Sequence, residues 1–289
     1  MSNETRIASG DSSLEPELDE IVVQRTTGLP SLRLRELVAF HELLYFLVWR
    51  DVKVRYKQTA LGVAWAILQP LLTVVVFTVF FNRVANVSSG QIAYPVFALS
   101  GLVPWLFFAN GLALASGSLV ASANLVTKVY FPRLVIPIAS TLSGLPDFAV
   151  AFALLLVVMA GYGIVPVAAI VAAPLALALA LGCALGTSLW LSALNVEFRD
   201  VRYVIPVLAQ LWLLATPVGY SASGVRGMWR AVLALNPMTG ALELFRWSVI
   251  GADFPSAVTL VVSSSSALAV LVSGAYYFRS TERRFADVI

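Results

Sequence analysis

The long apolar runs of the sequence contain few reactive or ionisable side chains, and Asp147 is the only acid among them. An isolated carboxylate within a membrane is often functional, for example as a proton or ion relay. Asp147 also follows Pro146, so it could instead cap the next helix segment by accepting hydrogen bonds from free backbone N–H groups. A relay needs partner groups, and no other apolar run carries one. We therefore predict a capping role for Asp147 and keep the relay as the alternative.

A second chemical feature is a cluster of cations directly before the first apolar run. Arg50, Lys53, Arg55 and Lys57 precede residues 61–81, which contain no ionisable side chain. Such cations attract anionic lipid headgroups, including a pyrophosphate, and they also fix the inner end of a membrane span. The residues themselves leave both roles open.

Motifs for catalysis are missing from the sequence. It contains neither a G-x-x-x-x-G-K-[ST] phosphate loop nor an H-E-x-x-H zinc motif. The single histidine, His41, and the single cysteine, Cys183, are far apart in the chain, so we expect neither a metal site nor a disulfide. We predict that the chain is not an enzyme and holds no cofactor or metal of its own.

Aromatic side chains in and beside the apolar runs offer flat faces on which sugar rings could slide. The candidates for such a lining are Trp65, Phe77, Trp105, Phe108, Trp212 and Tyr220. Packing in the core or at the membrane interface is the alternative use of these residues.

These side chains lie in or beside long apolar runs, which predict membrane spans. The 289 residues are 59% hydrophobic and only 12% charged, whereas a soluble domain has roughly a quarter charged residues. Six apolar runs predict spans at residues 61–81, 94–120, 134–160, 165–194, 203–220 and 257–278. In the fourth run, Gly182 and Gly186 form a small-xxx-small pattern that favours close helix packing. The predicted fold is an all-α polytopic membrane protein with six transmembrane helices.

The remaining segments flank or interrupt this six-span domain, which covers residues 61–289. Residues 1–31 are polar and acidic and predict a disordered cytoplasmic tail. Residues 32–60 combine an amphipathic pattern with the basic cluster, which predicts an interfacial helix followed by a basic cytoplasmic segment.

A helical hairpin is predicted between the fifth and sixth spans. Residues 228–235 and 238–250 are moderately apolar, are too short to cross a membrane, and are separated by Asn236-Pro237. This pattern predicts a re-entrant hairpin in the outer leaflet, with surface packing as the alternative. Glu243 and Arg246 are three residues apart and could form an ion pair on one face of its second helix.

The distribution of lysine and arginine predicts the orientation. With six spans and both termini in the cytoplasm, 15 of the 19 basic residues fall on the inner side and four on the outer side. This asymmetry agrees with the positive-inside rule. Because the net charge is only +3 and the cations lie beside spans, nucleic-acid binding is not expected.

Five stretches in this order resemble one known family. They are WRDVKVRYKQTALGVAWAILQP, KVYFPRLVIPIAS, NVEFRDVRYVIPVLAQLWLLATPVGY, LNPMTGALELFRWSVIG and FRSTERRFADVI. Together they resemble the membrane subunit, or permease, of bacterial ABC-2-type polysaccharide exporters, which move O-antigen, capsule, teichoic acid or related envelope glycans. The resemblance extends from about residue 32 to residue 289.

The resemblance implies a homodimer in the bacterial inner membrane, with two copies of a separate subunit that binds ATP and Mg. It implies export of a lipid-linked polysaccharide through a channel at the homodimer interface, and it places Arg50, Lys53, Arg55 and Lys57 at or near the contact with the ATP-binding subunit. Our hypothesis is that the lipid-linked substrate enters beside this cluster, where an anionic pyrophosphate headgroup would be attracted to it. The resemblance places ATPase coupling at Lys128, Tyr130, Phe131, Pro132 and Arg133. It places an external gate on the hairpin, at Trp229, Asn236, Pro237, Glu243 and Arg246.

Three other functions stay open. An ABC-2 exporter of a small lipid or drug would share these motifs, and a non-transporting membrane scaffold would share the spans. A proton-coupled carrier would depend on Asp147.

Overall fold

The computed structural model describes residues 38–57, 64–87, 89–225 and 227–285. Three predicted parts lie outside these ranges: the acidic tail, residues 32–37 and 58–60 of the interfacial and basic segment, and the first three residues of the first span. In chain order, the α-helices of the described residues are α1 His41–Lys57, α2 Ala64–Phe77, α3 Tyr94–Ala121, α4 Ala123–Lys128, α5 Val135–Leu142, α6 Leu145–Gly161, α7 Ala173–Glu197, α8 Val201–Ala215, α9 Met228–Leu235, α10 Pro237–Ile250 and α11 Ala257–Thr281.

Five helical elements are long and apolar enough to cross a membrane: Ala64–Val84, Tyr94–Ala121, Val135–Gly161, Ala168–Glu197 and Ala257–Thr281. The first includes a stretch of π-helix after α2, and the fourth begins with a 3₁₀ turn before α7. The apolar helix α8 is shorter. For the described residues, the prediction of an all-helical polytopic membrane protein is confirmed, with five elements long enough to cross a membrane and one shorter apolar helix.

Prolines decide where two of these elements stop or break. The fifth run, predicted to continue to residue 220, loses helical structure after Ala215, because Thr216 precedes Pro217 and takes an extended conformation. The third run is interrupted at Ser143 and Gly144, just before Pro146 in the first turn of α6. Proline lacks the backbone N–H that would continue the hydrogen-bond ladder across this break.

Helix α3 lies at the centre of the described helices. Its side chains are buried around most of its circumference, and α2, α5, α6, α7, α8 and α10 pack against it. A second buried cluster lies where α1, the connector after α4 and the C-terminal turn meet; its members include Leu47, Phe131, Phe278 and Phe285. By contrast, α2 and α8 expose rows of large apolar side chains.

The tightest helix crossing joins α7 to α11. A Cβ atom at Gly186 would lie 2.6 Å from the backbone N of Leu271, and one at Gly274 would meet the carbonyl oxygen of Gly186. A Cβ at Gly182 would meet nothing within 4 Å. The predicted packing of this helix through small residues is therefore confirmed at Gly186, whereas Gly182 faces away from the crossing.

Candidate functional site

A cavity of about 380 Å³ lies between the end of α1, the start of α2, the middle of α3 and the start of α6. Trp65, Phe107 and Phe148 contribute aromatic surface to its wall. Its polar lining comes from Arg55, Tyr56, Gln69, Asn110 and Asp147. Four different helices thus supply the polar groups of one cavity.

Asp147 accepts hydrogen bonds from the Arg55 guanidinium and the Tyr56 hydroxyl. Arg55 also donates to the backbone oxygen of Ser143 at 3.2 Å and to its hydroxyl at 2.9 Å. The N-cap of α6 is Gly144, and no side chain caps that helix. The predicted capping role of Asp147 is therefore wrong, because a cation 92 residues earlier in the chain binds its carboxylate instead.

The four predicted headgroup cations consequently differ in their surroundings. Arg50 forms an ion pair with Asp51 at 2.8 Å, and Arg55 is paired with Asp147. The side chains of Lys53 and Lys57 on α1 are exposed. Charge for an anionic headgroup is thus most accessible at the two lysines.

The connector between α4 and α5 has one exposed and one buried part. Lys128 is exposed, and Tyr130 is the most accessible large side chain there, with 89% of its surface exposed. Phe131, only 6% exposed, and Pro132 are buried. Arg133 binds the C-terminal turn: its backbone N–H donates to the Glu282 carboxylate at 3.0 Å, and its guanidinium donates to the Glu282 carbonyl.

The aromatic candidates for a channel lining occupy different environments. Trp105 and Phe108 are buried in the subunit's own core, whereas Trp65 is half exposed at the cavity. Trp212 meets Phe108 edge to face, with ring centroids 4.9 Å apart. Phe77 packs beside Phe81 at 5.1 Å, and the Tyr220 hydroxyl donates to the carbonyl of Leu214 at 3.4 Å.

Asn236 ties the break between α9 and α10 to the end of α8. Its side-chain oxygen accepts from the backbone N–H of Met238 at 3.1 Å, which caps α10, and from the indole N–H of Trp212 at 3.0 Å. Its amide donates to the carbonyl of Ala215 at 3.2 Å and to the Thr216 hydroxyl at 2.8 Å. The two short helices and the break predicted at Asn236-Pro237 are present, and Trp229 is exposed on α9.

Arg246 on α10 is only 4% exposed, yet it is held by backbone carbonyl groups. Its guanidinium donates to the carbonyls of Pro217 at 2.6 Å, Tyr220 at 3.3 Å and Val218, and it lies 3.8 Å above the Phe97 ring. These bonds attach the loop after α8 to α10 and α3.

The predicted ion pair between Arg246 and Glu243 is wrong: among the described residues, no salt bridge joins the two side chains. The loop carbonyls accept from the two terminal nitrogens of the guanidinium, whereas the buried Nε has no hydrogen-bond partner among the described residues. Burial raises the pKa of Glu243 above its ordinary value, and the positive charges of Arg246 and Arg230 offset part of that rise.

Sequence reasoning missed two contributors to these sites: Tyr56 and Asn110. Tyr56 lies inside the basic cluster, whose charge pattern drew attention to its neighbours, and no sequence signal pairs it with Asp147. Asn110 is a polar interruption of the second apolar run, and that interruption is the signal that could have identified it.

Comparison with known proteins gives consistent matches. The family described as ABC-2 type transporter matches residues 42–250. The chain is 30% identical over 257 residues to the O-antigen export system permease protein RfbA of Myxococcus xanthus, covering 88% of this chain and 98% of that protein. It is 26% identical to RfbA of Klebsiella pneumoniae, covering 86% and 95%, and 23% identical to the polysialic acid transport protein KpsM of Escherichia coli, covering 81% and 91%.

Proposed function

This chain belongs to the ABC-2 type transporter family, and from that premise we propose that it is the membrane subunit of an ATP-driven exporter of a lipid-linked cell-envelope polysaccharide. The observation that carries this proposal is the similarity to the O-antigen permease of Myxococcus xanthus, which spans nearly the full length of that protein. The similarity to a polysialic acid transport protein supports a polymeric cargo as well.

The proposed topology has six crossings of the bacterial inner membrane, with both termini in the cytoplasm. The five long helical elements and α8 supply the crossings. The 15 residues of α8 rise only about 22 Å, short of a hydrocarbon core of about 30 Å. The hairpin of α9 and α10 lies directly after this short crossing, and a re-entrant position would complete the outer half of the membrane there.

In the proposed assembly, two copies of this chain form a channel, and two ATP-binding subunits lie beneath them. The apolar faces that α2 and α8 expose, including Val76 and Leu211, support burial against a second copy or lipid. ATP and Mg would be bound by the separate subunits. The exposed tip of the connector, Lys128 and Tyr130, is the surface offered to them, while Phe131, Pro132 and Arg133 fix its position.

The hairpin is the proposed external gate. Asn236 bonds Trp212 on α8 directly to the hairpin break. A tilt of α8 during the ATPase cycle would therefore move α9 and α10 through the hydrogen bonds between Asn236 and the end of α8. Trp212 would couple the gate to the channel wall, and Trp65 would face the conduit at its inner end.

Depletion of the protein in its native cells tests the proposed function. We expect lipid-linked polysaccharide to accumulate on the cytoplasmic side and to reach the surface again when the wild-type chain is restored. Unchanged surface glycan with retention of a small lipid or drug would instead establish the narrower ABC-2 exporter. A purified chain that neither binds nor stimulates an ATP-binding subunit would establish a scaffold.

A further inference from the structure

We propose that the cavity between α1, α2, α3 and α6 is a binding site for a neutral sugar residue of the transported polymer. This inference rests on the proposed function and assigns part of the cargo to named residues. Trp65 provides the stacking face, and Gln69 and Asn110 provide hydrogen bonds beside the Arg55–Asp147 pair.

The size of the cavity suits a small polar ligand. Its volume of about 380 Å³ lies within the range of about 300–1,000 Å³ that is typical of small-molecule sites. Most of its wall is apolar, with a few polar side chains at defined positions. A wall of this composition is typical of a site that binds one ligand in a defined orientation, and not of an opening filled only with water.

The polar groups match a ligand that is rich in hydroxyls. The side-chain amides of Gln69 and Asn110 make no hydrogen bond within the described part of the chain, so each offers both a donor and an acceptor to a ligand. Trp65 is half exposed beside them, and an indole face stacks well on the C–H groups of a pyranose ring. The aromatic and amide groups lie on α2 and α3, two helices that pack together.

The charge of the cavity favours a neutral sugar over an anionic headgroup. Arg55 and Asp147 form a hydrogen-bonded ion pair, so the two charged side chains cancel. A pyrophosphate approaching Arg55 would lie beside the Asp147 carboxylate, and the like charges would repel each other. A hydroxyl group can donate to that carboxylate without breaking the pair.

Photo-crosslinking in living cells tests this site with the natural cargo. The photoreactive amino acid benzoylphenylalanine replaces Leu114, which lines the cavity, in the full chain expressed with its ATP-binding subunit. The matched control replaces Leu268, an exposed residue on α11 away from the cavity. We expect a glycan-positive adduct at position 114 and none at position 268. An adduct with lipid alone, equal labelling of both positions, or no glycan at position 114 would overturn the proposal.

Variants that remove one or both charges of the Arg55–Asp147 pair then distinguish a neutral sugar from an anion as the ligand of the cavity. For a sugar site, Asp147→Asn or Arg55→Gln alone should lower the glycan adduct at position 114 by about tenfold, because each leaves a partly buried charge unpaired. The double variant restores neutrality and should recover most of the adduct. If Arg55 binds an anion, Asp147→Asn should raise the capture and the double variant should lose it, and that pattern would overturn the proposal.

The depletion experiment keeps this inference separate from the proposed function. Accumulation of polysaccharide on depletion, combined with no glycan adduct at position 114, would reject the sugar site and leave the exporter function intact. Depletion without any effect on a glycan would reject the function itself.

Discussion

Replacing Gly186 by alanine should force α7 away from α11. The new Cβ would lie 2.6 Å from the backbone N and 2.7 Å from the Cα of Leu271, where ordinary contacts begin at 3.4 Å. The obstacle is backbone, so no side-chain rotation can relieve it, and the helices must separate by about 0.8 Å. The same change at Gly182 meets open space.

The expected free-energy changes have opposite signs. Overpacking against a rigid neighbour costs about 3 kcal/mol, the upper end of the usual range, while alanine in place of glycine stabilises a helix by about 1 kcal/mol. Gly186→Ala should therefore lower the free energy of unfolding by about 2 kcal/mol. Gly182→Ala should raise it by up to about 1 kcal/mol, because only the helix-propensity gain remains.

The assay is reversible unfolding of the purified full chain in mixed micelles, with sodium dodecyl sulfate as denaturant and circular dichroism as the signal. Both variants are measured beside the wild type at the same detergent composition. Equal unfolding free energies for the two variants, within about 0.5 kcal/mol, would refute the crossing of α7 and α11 as described.

Three further predictions concern the hairpin and the connector. Asn236→Ala removes four hydrogen bonds and should cost about 3 kcal/mol in the same unfolding assay, whereas Trp212→Phe removes one of them and should cost about 1 kcal/mol; equal costs would contradict the shared joint. Arg246→Met should speed amide hydrogen exchange in the loop after α8 at least tenfold, because the carbonyls of that loop lose the hydrogen bonds that Arg246 donates. Unchanged exchange would show that the loop keeps its structure without Arg246. Tyr130→Ser should leave the free energy of unfolding unchanged but weaken binding of the ATP-binding subunit about tenfold, because Tyr130 is exposed. Phe131→Ala should lower the free energy of unfolding by about 3 kcal/mol, because Phe131 is buried. Normal binding by the Tyr130 variant would remove that residue from the coupling surface.

Local composition was enough to predict most of the helices. A run of about 20 apolar residues has few structures available in a membrane, because backbone groups must hydrogen-bond within the segment. The run at 94–120 therefore matches Tyr94–Ala121 closely, and the break at Asn236-Pro237 follows from proline itself. The premature end of α8 at Ala215 has the same kind of local cause, since Thr216 precedes Pro217.

The candidate site could be predicted only in part. Arg55 was identified as a residue of interest because it belongs to the basic cluster, and Trp65 and Asp147 because they lie in apolar runs. Their roles depended on partners elsewhere in the chain, and the cavity joins groups from α1, α2, α3 and α6. Long-range partners of this kind leave no mark on local hydropathy or spacing.

Composition and motifs establish that this is a polytopic helical membrane protein, where its long helices lie and which family it belongs to. The direction in which each helix faces became clear only from the packing of the helices against one another. It buried Trp105 and Phe108 in the core, placed Gly186 rather than Gly182 at the α7–α11 crossing, and brought Arg55 to Asp147. The physical reason is that lipid and protein core are equally apolar, so an apolar run shows little difference between its two faces until the helices pack.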